Sequence, residues 1–129
     1  MPISHLGVVV RDVKKSQELY LAALTPLGYK VVLYENNGKT AVLGQTAPEF
    51  FLAERTPDRD APKGEYIHLA FVANSPEQVD QVYAGALSAG AKDNGPPGLR
   101  PQYGPTYYAA FFYDLEGRNI EACYIGPKA

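Results

Sequence analysis

The side chains of this sequence best suited to chemistry are two histidines and one glutamate. His5 and His68 are the two histidines of the chain, and each lies in a short apolar segment. Glu121 lies in a third apolar segment near the end of the sequence. Two imidazoles and a carboxylate on one side of a divalent cation leave its other coordination positions open to a ligand. Together these residues favour a metal site, whereas each alone is more often a hydrogen-bonded strand residue.

Small residues accompany both histidines. Gly7 follows His5 by two positions, and Ala70 follows His68 by two positions. Because side chains alternate between the two faces of a strand, each small residue shares a face with its histidine. Glu121 has apolar neighbours, among which an unpaired carboxylate would be costly. The pattern predicts space for a ligand beside both imidazoles and a carboxylate that requires a cation or a proton.

Two segments with the same order of elements are predicted to position these residues. A strand over Ile3 to Val10 precedes a helix over Val13 to Leu24, and short strands follow. The order restarts with a strand over Tyr66 to Ala73 and a helix whose capping box begins at Ser75. A glycine- and proline-rich stretch from Gly95 to Pro105 is predicted as a loop. The remaining strands are expected at Tyr29–Tyr34, Thr40–Leu43, Glu49–Glu54, Tyr107–Tyr113 and Asn119–Ile125.

An internal repeat accounts for this order. At the offset that places His5 on His68, several further residues meet identical ones, whereas chance gives about one or two such identities. Each copy is predicted to be a strand, a helix and three strands. The matched pairs are Leu6 with Leu69, Val9 with Val72, Tyr20 with Tyr83, Ala23 with Ala86 and Leu24 with Leu87. The expected single domain spans residues 1–129, with units over 1–56 and 64–129 and a charged, proline-containing linker over 56–64.

Composition restricts the possible partners. The chain of 129 residues has a formal net charge of -2 and a pI of about 5.6, so it lacks the positive field that attracts nucleic acid or an anionic membrane. Its apolar runs are far shorter than the roughly 20 residues that cross a bilayer. The single Cys123 cannot form an internal disulfide, and no leader pattern opens the sequence. We therefore expect a cytoplasmic protein with neither a nucleic acid nor a membrane as its partner.

Three motifs resemble those of the vicinal oxygen chelate superfamily. This superfamily includes glyoxalase I, extradiol dioxygenases, fosfomycin and bleomycin resistance proteins and methylmalonyl-CoA epimerase. The resemblance covers essentially the whole chain and implies an α+β fold in which two paired βαβββ units form a curved mixed sheet around a cavity. The motifs are ISHLGVVVRD over 3–12, IHLAF over 67–71 and DLEGRNIE over 114–121.

The resemblance also implies a ligand set. In this family, metal ligands come from the first and last strands of both units, and His5, His68 and Glu121 match three of the four positions. Glu121 is the implied catalytic residue as well. The internal alignment places the fourth position on Leu52, where glyoxalase I carries glutamate or glutamine. The implied cofactor is a divalent ion of iron, manganese, nickel, cobalt or zinc.

The resemblance implies a metal-dependent lyase, isomerase or oxygenase that acts on a small molecule with adjacent oxygens. Arg100, Tyr103 and Tyr107 are candidate substrate-binding residues for an anionic or aromatic group, although packing of the proline-rich loop explains them equally well. A homodimer is implied, and the units can pair within one chain or between two chains. The alternative is a non-catalytic protein that sequesters a small molecule, which the missing fourth ligand favours.

Overall fold

The computed structural model describes residues 3–55 and 67–126 as an α+β fold. The predicted linker over 56–64 and the predicted strand residue Tyr66 lie outside the described residues. No helix in the described part of the chain is long and apolar enough to span a membrane. The elements are β1 (Leu6–Val10), α1 (Val13–Leu24), β2 (Lys30–Glu35), β3 (Thr40–Gly44), β4 (Phe50–Glu54), β5 (His68–Val72), α2 (Pro76–Ser88), β6 (Lys92–Leu99), β7 (Tyr108–Tyr113) and β8 (Asn119–Tyr124).

The strands form two four-stranded mixed sheets with the same topology. The first sheet has the order β1-β4-β3-β2, and the second has the order β5-β8-β7-β6. In each sheet the first and last strands of the unit pair in parallel, and the remaining pairs are antiparallel. The strand, helix and three-strand repeat predicted from the sequence is therefore confirmed.

Side-chain caps start both helices where the sequence predicts them. The Asp12 side chain accepts a hydrogen bond of 3.0 Å from the backbone N–H of Lys15 at the start of α1. At α2, the Ser75 hydroxyl accepts from the N–H of Gln78 at 3.2 Å. The Gln78 side chain in turn accepts from the N–H of Asn74 at 2.7 Å. These bonds satisfy donors that a helix N-terminus would otherwise leave without partners.

One hydrophobic core lies beneath the helices and joins the two units. Val8 and Leu52 pair across β1 and β4 on the face that the helices cover, and both are buried. Phe50 lies on the same face, and its ring is 5.6 Å from that of Phe71 in β5. No helix of the described residues covers the opposite face of each sheet, and we call it the open face.

The two helices contact each other at residues that match in the repeat. A Cβ atom on Gly85 of α2 would lie 2.0 Å from the carbonyl oxygen of Ala22 in α1. Only glycine permits this approach, because any side chain would collide with the backbone of the other helix. Ala22 aligns with Gly85 at the offset that places His5 on His68. The approximate twofold relation between the units therefore passes near this contact.

The turn between β7 and β8 also binds the first unit. The Tyr20 hydroxyl of α1 donates a buried hydrogen bond of 2.5 Å to Asp114, and burial raises the pKa of Tyr20 well above its usual value. Arg118 donates to a backbone carbonyl of β1 at 2.5 Å. On the outer side, Arg11 and Glu116 form an ion pair at 2.8 Å. These bonds fix the two units of one chain relative to each other.

The stretch predicted as a loop from Gly95 to Pro105 is partly a strand. Residues 92–99 form β6 at the edge of the second sheet. Proline is tolerated there because an edge strand has a neighbour on one side only, so the missing N–H need not break a hydrogen bond between strands. The pairing with β7 shifts register between Asp93 and Gly95 and again between Gly95 and Gly98. The sequence prediction missed this strand because its residues lack the apolar alternation of the others.

Candidate functional site

The open face of the second sheet brings together His68 and Glu121. His68 opens β5, and Ala70 on the same face pairs with Glu121 of β8. Ala70 contributes only a methyl group to this face, beside the two larger side chains. Glu121 is only 5% exposed, whereas Val72, further along β5, is 62% exposed. The acid is therefore shielded at its base while the face around it stays open to solvent.

The two ring nitrogens of His68 have different partners. Nδ1 lies 2.9 Å from the backbone carbonyl oxygen of Asn119, and Nε2 lies 2.9 Å from Oε1 of Glu121. Since a carbonyl oxygen can only accept, Nδ1 carries a proton and donates it there. Nε2 then faces a carboxylate oxygen that also only accepts. The contact therefore requires a further positive group, either a proton on one of the two side chains or a metal ion that both would bind.

Tyr107 occupies the other oxygen of Glu121. Its hydroxyl donates to Oε2 at a distance of 2.5 Å. Burial raises the pKa of Tyr107 strongly, and the hydrogen bond to Glu121 raises it further, so the hydroxyl remains a donor at neutral pH. The carboxylate is thereby held with Oε1 directed at His68.

Arg100 and Tyr103 extend the same site. The Arg100 guanidinium carbon lies 5.5 Å from the ring centre of Phe111, whose residue pairs with Glu121 in the sheet. The Tyr103 ring is 63% exposed and lies 5.5 Å from the Tyr107 ring. Of the three predicted substrate-binding residues, Tyr107 therefore contacts Glu121 directly, while Tyr103 packs on Tyr107 and Arg100 packs on Phe111.

Sequence analysis missed two members of this site. Phe111 stacks on His68 with ring centres 6.1 Å apart and planes at 19°, and Asn119 supplies the carbonyl that accepts from the imidazole. Alternation along the predicted strand over Tyr107 to Tyr113 could have placed Phe111 on a face with Tyr107 and Tyr113. The hydrogen bond from His68 to the Asn119 carbonyl could not be predicted from the pattern of side chains, because it depends on the register between β5 and β8.

His5 lies apart from the other two predicted ligands. It is exposed just before β1, its Nδ1 lies 2.6 Å from the Ser4 hydroxyl, and its ring is 5.3 Å from that of Phe51. Within residues 3–55 and 67–126, no three histidine, cysteine or acidic side chains come close enough to hold one metal ion. One chain therefore brings together His68 and Glu121 but does not add His5.

A groove between the two units runs beside His5. It has a volume of about 350 Å³ and is lined by His5, Leu6 and Glu49 from the first unit and by Ala70 and Phe71 from the second. The exposed histidine thus stands at the rim of an open, mainly apolar depression.

Strand register corrects the predicted fourth ligand position. In the second sheet Ala70 pairs with Glu121, and in the first sheet the matching Gly7 pairs with Phe51. Leu52 is completely buried on the face beneath the helices. Because neighbouring strand residues point to opposite faces, an alignment offset wrong by one residue moved the position to the wrong side of the sheet. The prediction of Leu52 is wrong, and Phe51 occupies the equivalent position.

Solved structures support the fold over nearly the full chain. A glyoxalase/bleomycin resistance protein from Albidiferax ferrireducens is 29% identical, with 96% of this chain and 99% of that chain covered and a TM-score of 0.80. A glyoxalase/bleomycin resistance protein/dioxygenase family enzyme from Burkholderia phytofirmans is 17% identical, with coverage of 96% and 98% and a TM-score of 0.75.

A third similar structure was solved with ligands. It is a mutant of the fosfomycin resistance protein FosX from Listeria monocytogenes, in complex with manganese(II) and 1S,2S-dihydroxypropylphosphonic acid. It is 19% identical, with coverage of 92% of this chain and 86% of that chain and a TM-score of 0.66. At this identity the likeness concerns the fold alone. The comparison with curated proteins gave no match.

The sequence itself matches a family model over most of its length. Residues 2–122 match the family described as the Glyoxalase/Bleomycin resistance protein/Dioxygenase superfamily. The match includes both βαβββ units and all three predicted metal ligands. The chain belongs to the glyoxalase/bleomycin resistance protein/dioxygenase superfamily.

Proposed function

We propose that this protein is a metal-dependent enzyme that acts on a small molecule with two adjacent oxygen atoms. The contact between His68 and Glu121 carries the proposal. The Asn119 carbonyl holds the imidazole so that Nε2 and the Oε1 of Glu121 point at each other across 2.9 Å. Metal-ligating histidines typically donate their other ring N–H to a carbonyl or carboxylate oxygen, as Nδ1 of His68 does to Asn119.

The donor set agrees with the ions that the resemblance implies. Imidazole nitrogen and carboxylate oxygen suit iron, manganese, nickel, cobalt or zinc and do not distinguish among them. When bound, such an ion would polarise the substrate oxygens as a Lewis acid. Glu121 is the catalytic residue of the proposal because its Oε1 would hold the ion while Tyr107 binds its Oε2.

A second protomer supplies the third ligand in this proposal. His5 of one protomer joins His68 and Glu121 of the other, so the active form is a homodimer with two sites. Two observations support this arrangement. The strands β1 and β5 are both sheet edges, and apolar side chains beside them are exposed, with Ile3 at 64% and Val72 at 62%. Unpaired edges and exposed apolar residues favour contact with another chain.

The remaining predicted residues would bind the substrate. Tyr107 and Tyr103 provide an aromatic wall beside Glu121, and Arg100 provides positive charge. Tyr107 also keeps the carboxylate in place by donating to Oε2, where its raised pKa preserves the proton. Substrate orientation would therefore depend on residues of the second unit.

Phe51 is the observation that favours the alternative, a protein that sequesters its ligand without a reaction. A phenyl ring at the fourth ligand position adds apolar surface instead of a donor, and its ring lies 5.3 Å from that of His5. A hydrophobic ligand could then be held without any metal. The two functions differ in whether the folded protein needs an ion.

Elemental analysis of protein purified without added metal tests the proposal. We expect about one divalent ion per chain, because a twofold dimer has one site for each protomer. Removing the ion should lower the melting temperature, since a ligand that binds only the folded state stabilises it. The variant His68→Ala should lose the ion and keep its fold, while Tyr103→Phe should retain both. Full metal content in His68→Ala, or a melting temperature indifferent to a chelator, would contradict the proposal.

A further inference from the structure

We propose that the substrate of this site carries an oxyanion group, a phosphate, phosphonate or carboxylate, which Arg100 binds beside the His68 and Glu121 pair. The inference rests on the proposed function for the role of that pair, and it adds the chemical class of the substrate. It is carried by the position of the Arg100 side chain, by the absence of an ion pair to it among residues 3–55 and 67–126, and by the ring that it shares with His68.

Glycines of β6 make the place in which the guanidinium lies. A Cβ atom on Gly98 would lie 3.1 Å from Nη1 of Arg100, and one on Gly95 would lie 3.2 Å from Nη2 and 3.2 Å from the Phe111 ring. Nη2 donates to the carbonyl oxygen of Pro96 at 2.8 Å. The two glycines thus leave room for the guanidinium. Its hydrogen bond to Pro96 and its contact with the Phe111 ring fix its position and orientation.

The charge held there has no counter-ion in the described chain. No carboxylate of residues 3–55 or 67–126 forms an ion pair with Arg100. The nearby acids have other partners: Asp93 accepts from Tyr83 and from the backbone N–H of Gly95, and Asp80 accepts from Tyr108. A partly buried guanidinium with N–H groups left to donate favours binding of an anion, and its fork suits two oxygens of one oxyanion.

Phe111 connects the proposed anion site to the His68 and Glu121 pair. Its ring is 5.5 Å from the Arg100 guanidinium carbon and 6.1 Å from the centre of the His68 ring. A ligand bound by both groups would lie along one phenyl ring. Its oxyanion would contact Arg100, and its two adjacent oxygens would reach His68 and Glu121. A neutral compound with only the adjacent oxygens would lack the first of these contacts.

The anion site can be tested without metal. Chelator-treated protein is titrated with inorganic phosphate and, separately, with acetate, while the backbone amide signals of Gly95 and Gly98 are followed by NMR. We expect saturable shifts with at least one of the two anions and at least about a tenfold loss of affinity in Arg100→Met. Gly98→Ala should also weaken binding, because it displaces Nη1 without removing the charge.

Lys92→Met is the matched control, since it removes the same charge from an exposed position of β6, the strand that precedes Arg100. It should leave the affinity unchanged. Equal affinities in Arg100→Met and the parent protein, or equal losses in Arg100→Met and Lys92→Met, would overturn the proposal. The relative response to phosphate and acetate shows which oxyanion the site prefers, and no shift with either anion would also overturn it.

Two matched ligands test whether one molecule binds both Arg100 and the His68 and Glu121 pair. Dihydroxyacetone and dihydroxyacetone phosphate share adjacent carbonyl and hydroxyl oxygens, and only the second carries an oxyanion. With the metal-loaded protein, dihydroxyacetone phosphate should bind about tenfold more tightly, and Arg100→Met should abolish the difference. Equal binding of both compounds to the parent protein would contradict the inference. Phosphate binding that depends on Arg100 in a protein that takes up no metal would refute the proposed function alone.

Discussion

Glu121 has a different partner on each carboxylate oxygen, and this division defines the chemistry of the site. Oε1 faces Nε2 of His68 at 2.9 Å, while Oε2 accepts the hydroxyl of Tyr107 at 2.5 Å. Only Oε1 is therefore directed at the place where a cation would lie. The tyrosine acts on the ion through the carboxylate, as a positioning residue.

Tyr107→Phe should weaken metal binding without unfolding the protein. The change removes the donor to Oε2 and leaves the ring, so the carboxylate loses its fixed orientation. Loss of such a supporting hydrogen bond typically costs about 10-fold to 100-fold in metal affinity. Competition with a chelator of known affinity measures this loss. Tyr103→Phe, which alters an exposed ring on the same site, is the control; unchanged affinity in Tyr107→Phe would refute the role of the hydroxyl.

Phe51 and Leu52 offer a direct test of the corrected ligand position. Phe51→Glu should add a fourth ligand, a carboxylate beside His5, and raise metal affinity by about tenfold or more, because affinity follows the number of charged ligands. Leu52→Glu should instead lower the free energy of unfolding by about 3 kcal/mol or more, since it buries a carboxylate in the core. Titration with metal and denaturant unfolding measure the two effects. The reverse pattern would show that the strand register is wrong.

Residue types predicted part of the site. The rest depends on strand register, which the sequence does not reveal. The pairing of His68 with Glu121 was foreseeable as two candidate ligands on matched strands. Phe51 was not, because a sequence offset cannot separate two adjacent strand residues that point to opposite faces. The Asn119 carbonyl belongs to the backbone and leaves no mark in the side-chain sequence.

Among the elements, those with caps and apolar periodicity were predicted well. Both helices start at the capping residues Asp12 and Ser75, and α1 spans the predicted residues Val13–Leu24. The edge strand β6 was missed because glycine and proline dominate it. Its irregular register nonetheless creates the glycine-lined place for Arg100, so the element that was hardest to predict contributes to the site.

The hydrogen bond between Tyr20 and the turn between β7 and β8 makes the stability of the fold depend on pH. The pKa of Tyr20 is raised by burial first and by the Asp114 carboxylate second, so the folded state holds this proton more tightly than the unfolded state. The resulting stability is complete below about pH 10, the ordinary tyrosine pKa, and is lost as pH rises above it.

Tyr20→Phe should therefore flatten the alkaline loss of stability. The variant should be less stable at pH 7 by about 1 kcal/mol, because Asp114 loses a buried donor. Above pH 10 its free energy of unfolding should fall less steeply than that of the parent, by up to about 1.4 kcal/mol per pH unit. Urea unfolding at a series of pH values measures both slopes. Identical slopes would show that this hydroxyl does not couple folding to pH.

At the scale of the whole molecule, one chain contains two copies of a unit but only part of the proposed metal site. Gly85 and Ala22 fix the contact of the helices, and the turn around Asp114 ties the second unit to the first. This leaves His5 exposed on one unit and the His68 and Glu121 pair on the other. Two such chains related by a twofold axis would each complete the site of the other.

Mixing two inactive variants tests this claim most directly. Neither His5→Ala nor His68→Ala should hold metal alone, but a heterodimer of the two has one site with His5 from one chain and His68 and Glu121 from the other. After random exchange, elemental analysis should recover about a quarter of the parent metal content, since about half of the dimers are mixed and each has one intact site. A mixture as free of metal as each variant alone would contradict a site shared between protomers.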